Sequence, residues 1–534
     1  MYKEVEFKLS PDEIGDRSAV ERSAARAARA GDRAVEVKLL RRSIDARGKR
    51  PVFRLRAGVA SPGAMPSEPP FRGPYHTQGA RPAVHIVGAG PAGLFAALEC
   101  LELGLRPIVY DRGKDVRARR RDLRAIQQFG RVDPHSNYCF GEGGAGTYSD
   151  GKLYTRAHKR GSIRKVLHQL VEHGATPDIL VEAHPHIGSN KLPGIIAAIR
   201  ATIVRHGGEV KFASHVTDIL LDADGHVAAL RIGEEEVAAT HVVIATGHSA
   251  RDVYALFARK AWALEAKPFA LGVRIEHPQA LIDEQQYGRS PRHEQLPAAS
   301  YRLATQVSGR GVFSFCMCPG GLIVPAATAP GELVVNGMSL SRRDSPFANS
   351  GFVTAVDEAD WVDHAGQGAL AGLAYQRAAE RRVFAAGDGG QAAPAQRIDD
   401  FLAGRLSAEL NPTSYIPGVY PAPLHELLPG PVAERLGRGL RQLARRMPGY
   451  VSGVGQLIGI ESRTSAPVRL PRDGRTLEHP DVAGLYPCGE GAGYAGGILS
   501  AAMDGQRVAR AVAVRCGLPI GKQYTRGEPS QPPA

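Results

Sequence analysis

Three glycines stand at a spacing that can hold a phosphate. Gly88, Gly90 and Gly93 follow an apolar run at 84–87 and precede an Ala/Leu-rich run. In a strand, turn and helix, the first glycine makes the turn and the second lets the backbone approach a pyrophosphate. The third lets helix and strand pack closely, and the helix N-terminus favours phosphate. The pattern predicts a dinucleotide-binding βαβ unit, whose candidate residues are Gly88, Gly90, Pro91, Ala92 and Gly93.

An acidic residue strengthens this prediction. A second β-branched run at 106–110 follows the predicted helix and ends at Asp111. An acid at the end of that strand, about 20 residues past the glycines, is placed to bind a ribose 2′-hydroxyl. Asp111 and the adjacent Arg112 are therefore candidate cofactor-binding residues. The alternative is a glycine-rich turn in another kind of α/β protein.

A second glycine-rich segment spans 141–153. The run from Gly146 to Lys152 imitates a phosphate-binding loop of nucleoside triphosphatases, but Leu153 stands where a magnesium-binding hydroxyl is required. That reading is rejected. Backbone amides of such a loop can instead approach a cofactor. The candidates in it are Gly143, Gly144, Ala145, Gly146, Thr147, Gly151 and Lys152.

Two later segments repeat the pattern of a strand end near glycine. Thr246 and Gly247 end a β-branched strand, and the run 484–498 contains a strand, Glu490, several glycines and a helix start. Glu490 could bind a ribityl hydroxyl, and a helix N-terminus could stabilise negative charge at a flavin edge. The candidates from these parts of the chain are Val216, Thr246, Gly247, Gly489, Glu490, Gly496, Gly497 and Ile498.

A Cys-x-Cys pair is a candidate catalytic feature. Cys316 and Cys318 precede Pro319 and two glycines. On an extended strand both thiols point to the same face. They are either a redox dithiol or thiolate near the cofactor, or buried structural cysteines. Zinc is disfavoured because no second ligand pair with finger spacing follows.

Four charged or titratable residues are further catalytic candidates. Glu276 and His277 are adjacent, so on a strand they face opposite ways and only one can enter a given pocket. One of them could be a general acid or base; the alternative is a surface polar residue. Arg274 lies beside them. Arg463 could clamp a substrate carboxylate, or form a structural ion pair.

The elements that must position these residues divide the chain. Residues 1–58 read as a βαββ unit, and 59–80, rich in Pro, Gly and Ser, as a linker. The run 209–250 resembles a β-meander that closes with a strand. The predicted domains are a small N-terminal α+β domain at 1–58, a cofactor domain at 81–255 and 456–516, a substrate or cap domain at 256–455, and a disordered tail at 517–534.

Composition limits the class of protein. The 534 residues are 43% hydrophobic and carry a net charge of +13, and six scattered cysteines do not form a disulfide framework. These features favour a reducing, cytoplasmic setting. The apolar run 83–105 contains a glycine turn and two glutamates, so stable membrane insertion is not expected. The arginine-rich run 112–131 has two interpretations. It is either the solvated face of a helix, with Val116, Leu123 and Ile126 pointing inward, or a surface that binds nucleic acid. Because no aromatic residues are interleaved for base stacking, nucleic-acid binding is disfavoured.

Together these segments resemble a bacterial family of uncharacterised FAD-dependent dehydrogenases. The resemblance covers about 82–515, and the N-terminal unit is similar to the family's lead domain. It is carried by five further motifs: 141–152, 267–278, 315–321, 336–339 and 461–464. It implies FAD, redox chemistry and an α/β, Rossmann-like three-layer fold with an inserted α+β substrate domain, but no particular substrate.

The predicted function is that of an FAD-dependent oxidoreductase. Hydride would pass between flavin N5 and a small organic substrate. A second Gly-x-Gly-x-x-Gly motif does not follow, since 453–459 has the wrong spacing, so NAD(P)H as electron donor would dock transiently. The alternatives are an RNA-modifying flavoprotein and an FAD-binding protein without turnover. The oligomeric state stays open.

Overall fold

The computed structural model describes residues 2–31, 33–66, 71–77, 82–155 and 161–520. Residues 521–534 of the tail predicted at 517–534, and part of the predicted linker, lie outside these residues. The strands are β1 Tyr2–Leu9, β2 Glu36–Asp45, β3 Val52–Ala60, β4 Ala83–Val87, β5 Arg106–Tyr110, β6 Glu209–Lys211, β7 Val216–Leu221, β8 Val227–Ile232, β9 Glu235–Ala238, β10 Val242–Ile244, β11 Glu265–Ala266, β12 Phe269–Pro278, β13 Ala304–Val307, β14 Arg310–Cys318, β15 Gly321–Pro325, β16 Val335–Ser339, β17 Phe347–Val356, β18 Ala393–Arg397, β19 Val419–Pro421, β20 Gln456–Glu461, β21 Val468–Arg469 and β22 Leu485–Pro487.

The α-helices of the described residues are α1 Arg17–Ala28, α2 Pro91–Glu102, α3 Val116–Phe129, α4 Ile163–Glu172, α5 Leu192–Arg205, α6 Arg251–Arg259, α7 Gln279–Tyr287, α8 Ala371–Ala385, α9 Ile398–Ala403, α10 Leu424–Leu427, α11 Gly430–Leu443 and α12 Ile498–Arg515. None of them is long and apolar enough to cross a membrane.

The N-terminal elements follow the predicted βαββ order. Strands β1, β3 and β2 form an antiparallel sheet in that spatial order. Helix α1 packs on this sheet through Ala24 and Ala28, which meet Val5 and Val59. Leu9 and Phe53 instead join the core of the middle region. The unit is therefore packed against the rest of the chain.

A five-stranded parallel sheet carries the first glycine motif, in the order β22-β10-β4-β5-β6. Because side chains alternate along a strand, each strand faces two layers. Ile86 and Val243 face α2, α5 and α12. Ile108 and Ile244 face α6 and the antiparallel sheet β7-β8-β9. This is the predicted Rossmann-like three-layer fold, although β6 belongs to the parallel sheet rather than to the meander.

The middle region is built on a seven-stranded sheet, in the order β13-β14-β17-β12-β20-β18-β19. Strand β20, at 456–461, pairs with β12 and β18 in this sheet. The predicted return to the cofactor domain at residue 456 is therefore too early, because hydrogen bonding holds the chain in the middle sheet through Glu461.

Helix α3 has the predicted amphipathic face. Val116, Leu123 and Ile126 are buried, and Arg119 is buried with them. The Arg119 guanidinium donates hydrogen bonds to the carbonyls of Asn137 (2.8 Å), Gly141 (3.2 Å) and Glu142 (2.8 Å). Sequence reasoning missed this role, although Arg119 is three residues after Val116 and therefore on the apolar face. Arg119 fixes the start of the second glycine-rich segment.

Candidate functional site

Two glycines of the first motif are required by close packing. Gly88 has φ +111°, and a Cβ there would lie 2.4 Å from the Ala245 carbonyl oxygen. A Cβ on Gly93 would lie 1.9 Å from the Gly88 carbonyl oxygen. Gly90 differs, because its nearest neighbour would be Gly144 Cα at 3.8 Å. The structure thus leaves open space where the motif requires close approach of a pyrophosphate.

The second glycine-rich segment lies directly on the first. The Gly143 amide donates to the Ala89 carbonyl at 2.8 Å. A Cβ on Gly144 would lie 3.1 Å from Gly90 Cα, and one on Gly146 would lie 3.0 Å from Ile498 Cγ1. Segments far apart in sequence therefore meet at one point, at the carboxyl ends of the parallel strands.

The fourth segment brings a second helix to the same place. A Cβ on Gly505 of α12 would lie 2.0 Å from the Ala92 carbonyl oxygen of α2, so the two helices pack backbone to backbone. A Cβ on Gly491 would lie 2.6 Å from the Gly247 carbonyl oxygen. No side chain caps the N-terminus of α2 or α12, as is also true of α5 to α11. What distinguishes α2 and α12 is that both N-termini lie at the glycine segments, where they are available for anionic groups.

Asp111 is buried at the end of β5. Its carboxylate accepts hydrogen bonds from the amides of Ala89 (2.9 Å) and Gly113 (2.8 Å). It therefore fixes the glycine turn, and the ribose contact expected of it stays a prediction. Arg112 lies over the Phe140 ring at 4.6 Å and forms an ion pair with Asp252.

Asp252 links Arg112 to the start of β7. Its carboxylate also accepts from His215 at 2.9 Å, and Val216 begins β7 beside His215 with a buried side chain. Burial opposes ionisation of Asp252, but the His215 hydrogen bond and the Arg112 charge outweigh it and hold its pKa well below the usual range.

Lys152 connects the second segment to the middle region. Its ammonium donates to the Met317 carbonyl of β14 and lies 3.8 Å from the Asp150 carboxylate. Asp150 in turn pairs with Arg343. Gly151 has φ +68°, and a Cβ there would lie 2.9 Å from the Gly188 amide. This end of the segment is thus ordered by protein partners.

The Cys-x-Cys pair does not share a face. A bulge interrupts the pairing of β14 with β17 between Phe315 and Cys318, and Cys316 has φ +42°. As a result Cys316 is exposed and Cys318 is buried. Protein atoms around the Cys316 sulfur shield it from water and raise the pKa of its thiol to about 12, although the residue as a whole is exposed. Burial also raises the pKa of the Cys318 thiol. The prediction of two thiols on one face is wrong, because the bulge breaks the alternation.

Arg274 is fully buried under this bulge. It forms an ion pair with Glu461 at 2.7 Å and donates to Asn349 at 2.9 Å. Its remaining nitrogen donates to the Cys316 carbonyl at 2.6 Å. The sequence predicted a catalytic role for Arg274, but its side chain is fully buried and cannot contact a substrate. It holds the bulge that presents Cys316.

His277 and Glu276 face opposite ways, as predicted, but both are buried. His277 Nε2 lies 2.7 Å from the Tyr450 carbonyl and its ring stacks on Tyr450 at 4.6 Å. Burial lowers the pKa of His277 to about 4, so the ring is neutral. Glu276 accepts from the Ser414 hydroxyl and amide. These contacts place both residues in the core of the middle region. The sequence predicted either a general acid or base or a surface polar residue, and a buried, hydrogen-bonded side chain agrees with neither role.

Arg463 forms the structural ion pair that the sequence left open. Its guanidinium lies 3.0 Å from both Glu332 and Glu380, and Arg251 binds the same two carboxylates. The Arg463 side chain is 3% exposed. Burial and saturation by these acids exclude the predicted clamp on a substrate carboxylate.

Glu490 lies at the end of β22 beside a small cavity. Burial raises its pKa to about 7, against the opposing effects of the Gly497 amide and the Lys267 charge. A Cβ on Gly496 would lie 3.8 Å from Glu490 Oε1. The cavity, of about 240 Å³, is also lined by Lys267, Thr464 and Ser465. Sequence reasoning missed Lys267 as a site residue, although it opens the motif 267–278.

Comparison with known proteins identifies the family. Residues 268–464 match the family described as "FAD-dependent protein, C-terminal domain-like", and residues 1–60 match a domain of unknown function. An uncharacterised protein of Clostridium beijerinckii is 45% identical over 444 residues, 82% of each chain. The chain belongs to this family of FAD-dependent proteins. The predicted family and its cofactor, FAD, are thereby confirmed.

Solved flavoprotein structures are more distant from this FAD-dependent protein. Glycine oxidase of Geobacillus kaustophilus is 14% identical, with 82% of this chain and 95% of that chain covered and a TM-score of 0.34. An open flavocytochrome c3 fumarate reductase is 12% identical, with 82% and 80% covered and a TM-score of 0.35. CtdE in complex with FAD is 11% identical, with 83% and 86% covered and a TM-score of 0.31.

The residues of the site fit FAD. Gly90 leaves the space that a pyrophosphate requires, and two helix N-termini without side-chain caps converge there. Gly88, Gly90, Gly144, Gly146 and Gly247 are each partly exposed. A groove of accessible backbone is the surface that a dinucleotide cofactor needs.

Proposed function

We propose that this protein is an oxidoreductase that transfers hydride between flavin N5 and a small organic substrate. The convergence of four glycine-containing segments and two uncapped helices on one groove supports this proposal. When bound, FAD supplies the hydride chemistry, and the chain supplies binding, orientation and electrostatics.

The groove residues have separate roles in this proposal. The α2 N-terminus, with Gly90, Pro91 and Ala92, receives the pyrophosphate together with the amides of Ala145 and Gly146. Asp111 lies near the ribose, and Glu490 accepts from a ribityl hydroxyl. The amides of Gly497 and Ile498 face the flavin edge, where the α12 dipole favours negative charge.

The middle region acts as the cap that admits the substrate. Of the predicted catalytic residues, Cys316 is exposed, whereas Arg274, His277, Cys318 and Arg463 are buried. Of these five residues, we therefore assign contact with the substrate to Cys316, with Arg274 as the residue that positions it. NAD(P)H docks transiently as electron donor, and the protein works in the cytoplasm.

An anaerobic titration tests this function. The purified protein is titrated with NADPH and with NADH while the flavin absorption band is followed. Rapid bleaching by either nucleotide supports a nicotinamide-linked reductase. If neither nucleotide bleaches the band, a panel of reduced organic substrates is added; failure of every donor contradicts oxidoreductase turnover. A protein that holds no flavin and takes up no added FAD contradicts the proposal altogether.

A further inference from the structure

The cavity beside Glu490 has walls from both parts of the molecule. Lys267, Thr464 and Ser465 come from the middle region, whereas Glu490, Tyr494 and Ser500 flank the N-terminus of α12. Its volume of about 240 Å³ equals that of roughly eight water molecules in the liquid. Whole FAD is far larger than this volume, so the cavity is not the site of the entire cofactor, and its middle-region wall lies beyond the residues that we assign to FAD. Cavities between domains are common substrate sites.

Lys267 is the charged group on the cap side of this cavity. Its ammonium lies 3.3 Å from the Ala466 carbonyl, 3.5 Å from the Pro268 carbonyl and 3.5 Å from the Ser465 hydroxyl. All three partners are neutral and the contacts are long. Within the described part of the chain, no carboxylate oxygen lies within 4 Å of it. The ammonium is thus half-buried without a carboxylate in direct contact, and the nearest acidic influence is Glu490 in the wall of the same cavity.

Two other shielded cations among the described residues are paired with carboxylates. Lys165 lies 2.6 Å from both Glu99 and Glu102, and Arg472 lies 2.7 Å from Asp504. A buried charge normally needs such a partner because desolvation is costly. Burial and the nearby Arg469 charge lower the pKa of Lys267, with Glu490 opposing. An anion in the cavity would supply the missing partner.

The opposite wall indicates where the cavity lies relative to the cofactor. Glu490 and Gly496 belong to the segment that we assign to the ribityl chain and the flavin edge. The cavity then opens at the flavin end of the groove, where a substrate must approach. The uncapped N-terminus of α12 adds positive potential to the same wall.

We propose that this cavity binds a small organic carboxylate and that Lys267 holds its anionic group. The proposal rests on the proposed function, because the assignment of Glu490 to the ribityl chain locates the flavin. It narrows the substrate class to small anionic molecules and names the residue that selects them. The Ser465 hydroxyl is placed to donate a second hydrogen bond to the bound carboxylate.

The test uses the FAD-bound protein and simple anions. Acetate, pyruvate and benzoate are titrated at constant ionic strength, with acetamide and benzamide as uncharged comparators. Binding is followed by the difference absorption spectrum of the flavin and by calorimetry. We expect saturable binding of carboxylates and not of amides. Equal binding of both, or of neither, overturns the proposal.

Variants assign the effect to Lys267. Lys267→Met should weaken carboxylate binding about ten- to hundredfold, the factor expected for one charge-assisted hydrogen bond. Lys267→Arg should retain most of the affinity. Lys260→Met is the matched control, since Lys260 is half-buried and pairs with Asp218 at 3.0 Å. If Lys267→Met does not fold, carboxylate binding by Lys267→Arg and the comparison of carboxylates with their uncharged amides in the wild type still test the proposal.

Two outcomes separate this proposal from the proposed function. If Lys267→Met weakens FAD binding but leaves carboxylate affinity unchanged, Lys267 serves the cofactor and the anion site is wrong. If the protein binds no FAD, the proposed function fails, and calorimetry with the same anions tests the cavity by itself.

Discussion

The Gly143 amide donates a hydrogen bond to the Ala89 carbonyl at 2.8 Å. This bond joins the two glycine-rich segments, which the sequence separates by about 50 residues. Gly90 and Gly144 then lie face to face, with a hypothetical Gly144 Cβ 3.1 Å from Gly90 Cα. The groove between the segments is therefore set by backbone contacts, which makes single glycines good probes of it.

Gly90→Ala should fold normally and lose FAD. Gly90 has φ −79° and ψ −176°, which alanine adopts readily, and the new Cβ would lie 3.8 Å from its nearest neighbour. The methyl group would, however, occupy the space assigned to the pyrophosphate. We expect FAD affinity to fall about tenfold or more, measured by fluorescence titration of the apoprotein, with an unchanged melting temperature.

Gly194→Ala is the control for this substitution. Gly194 lies in α5, and a Cβ there would meet nothing within 4 Å. This variant should bind FAD as the wild type does. Equal FAD affinity in Gly90→Ala and the control would remove Gly90 from the cofactor site.

Arg119→Met should destabilise the second glycine-rich segment. The substitution leaves the Asn137 carbonyl without its buried donor, whereas the Gly141 carbonyl keeps the Gly144 amide and the Glu142 carbonyl keeps the Thr147 hydroxyl. An unsatisfied buried carbonyl costs about 1–3 kcal/mol, so we expect a loss of roughly 2 kcal/mol in the free energy of unfolding and weaker FAD binding. Urea denaturation measures the first and FAD titration the second. Arg121→Met, on the exposed face of the same helix, should change neither; similar losses in both variants would contradict the assigned role.

Cys316 should react slowly with alkylating agents at neutral pH. Desolvation of the sulfur by the protein atoms around it raises the pKa of this thiol to about 12, so the thiolate is rare at pH 7 even though the residue as a whole is exposed. Because the thiolate is the reactive form, the rate of carboxamidomethylation should rise about tenfold per pH unit between pH 7 and 9. Mass spectrometry of iodoacetamide-treated protein gives this rate. A fast, pH-independent reaction would instead indicate an activated thiolate. It would support the hypothesis that Cys316 and Cys318 take part in redox chemistry.

Glu490→Gln should stabilise the FAD-free protein at high pH and not at low pH. The pKa of Glu490 is raised from 4.5 to about 7 in the folded protein. Between these values the folded state binds more protons than the unfolded state, so stability falls as pH rises and the penalty is complete above pH 7. The variant lacks this penalty and should be more stable by roughly 3 kcal/mol at pH 8. At pH 4.5 the two proteins should be nearly equal.

Urea denaturation at both pH values measures this difference. Glu99→Gln is unsuitable as a control, because Lys165 and Arg510 pair with Glu99. Glu294→Gln is suitable, since Glu294 is exposed; its stability should follow the wild type at each pH. A gain for Glu490→Gln of the same size at pH 4.5 and pH 8 would show that proton binding is not its cause.

The sequence by itself determined the cofactor-binding scaffold. The role of Gly93 follows from local geometry, since a Cβ there would meet the Gly88 carbonyl within one strand, turn and helix, whereas the contact that requires glycine at Gly88 comes from Ala245, at the end of a distant strand. The βαββ unit and the amphipathic face of α3 are likewise local, because their periodicity is written in consecutive residues. These elements could be predicted without knowing what packs against them.

Only the tertiary structure decided which polar residues are buried partners and which are exposed. The bulge at Cys316 depends on its pairing with β17, and the saturation of Arg463 depends on Glu332 and Glu380 from other elements. Lys267 is a site candidate for the opposite reason, because folding shields it without bringing a carboxylate within reach. Charge pairing between distant segments leaves no periodic trace in a single sequence, and it decides where chemistry can occur.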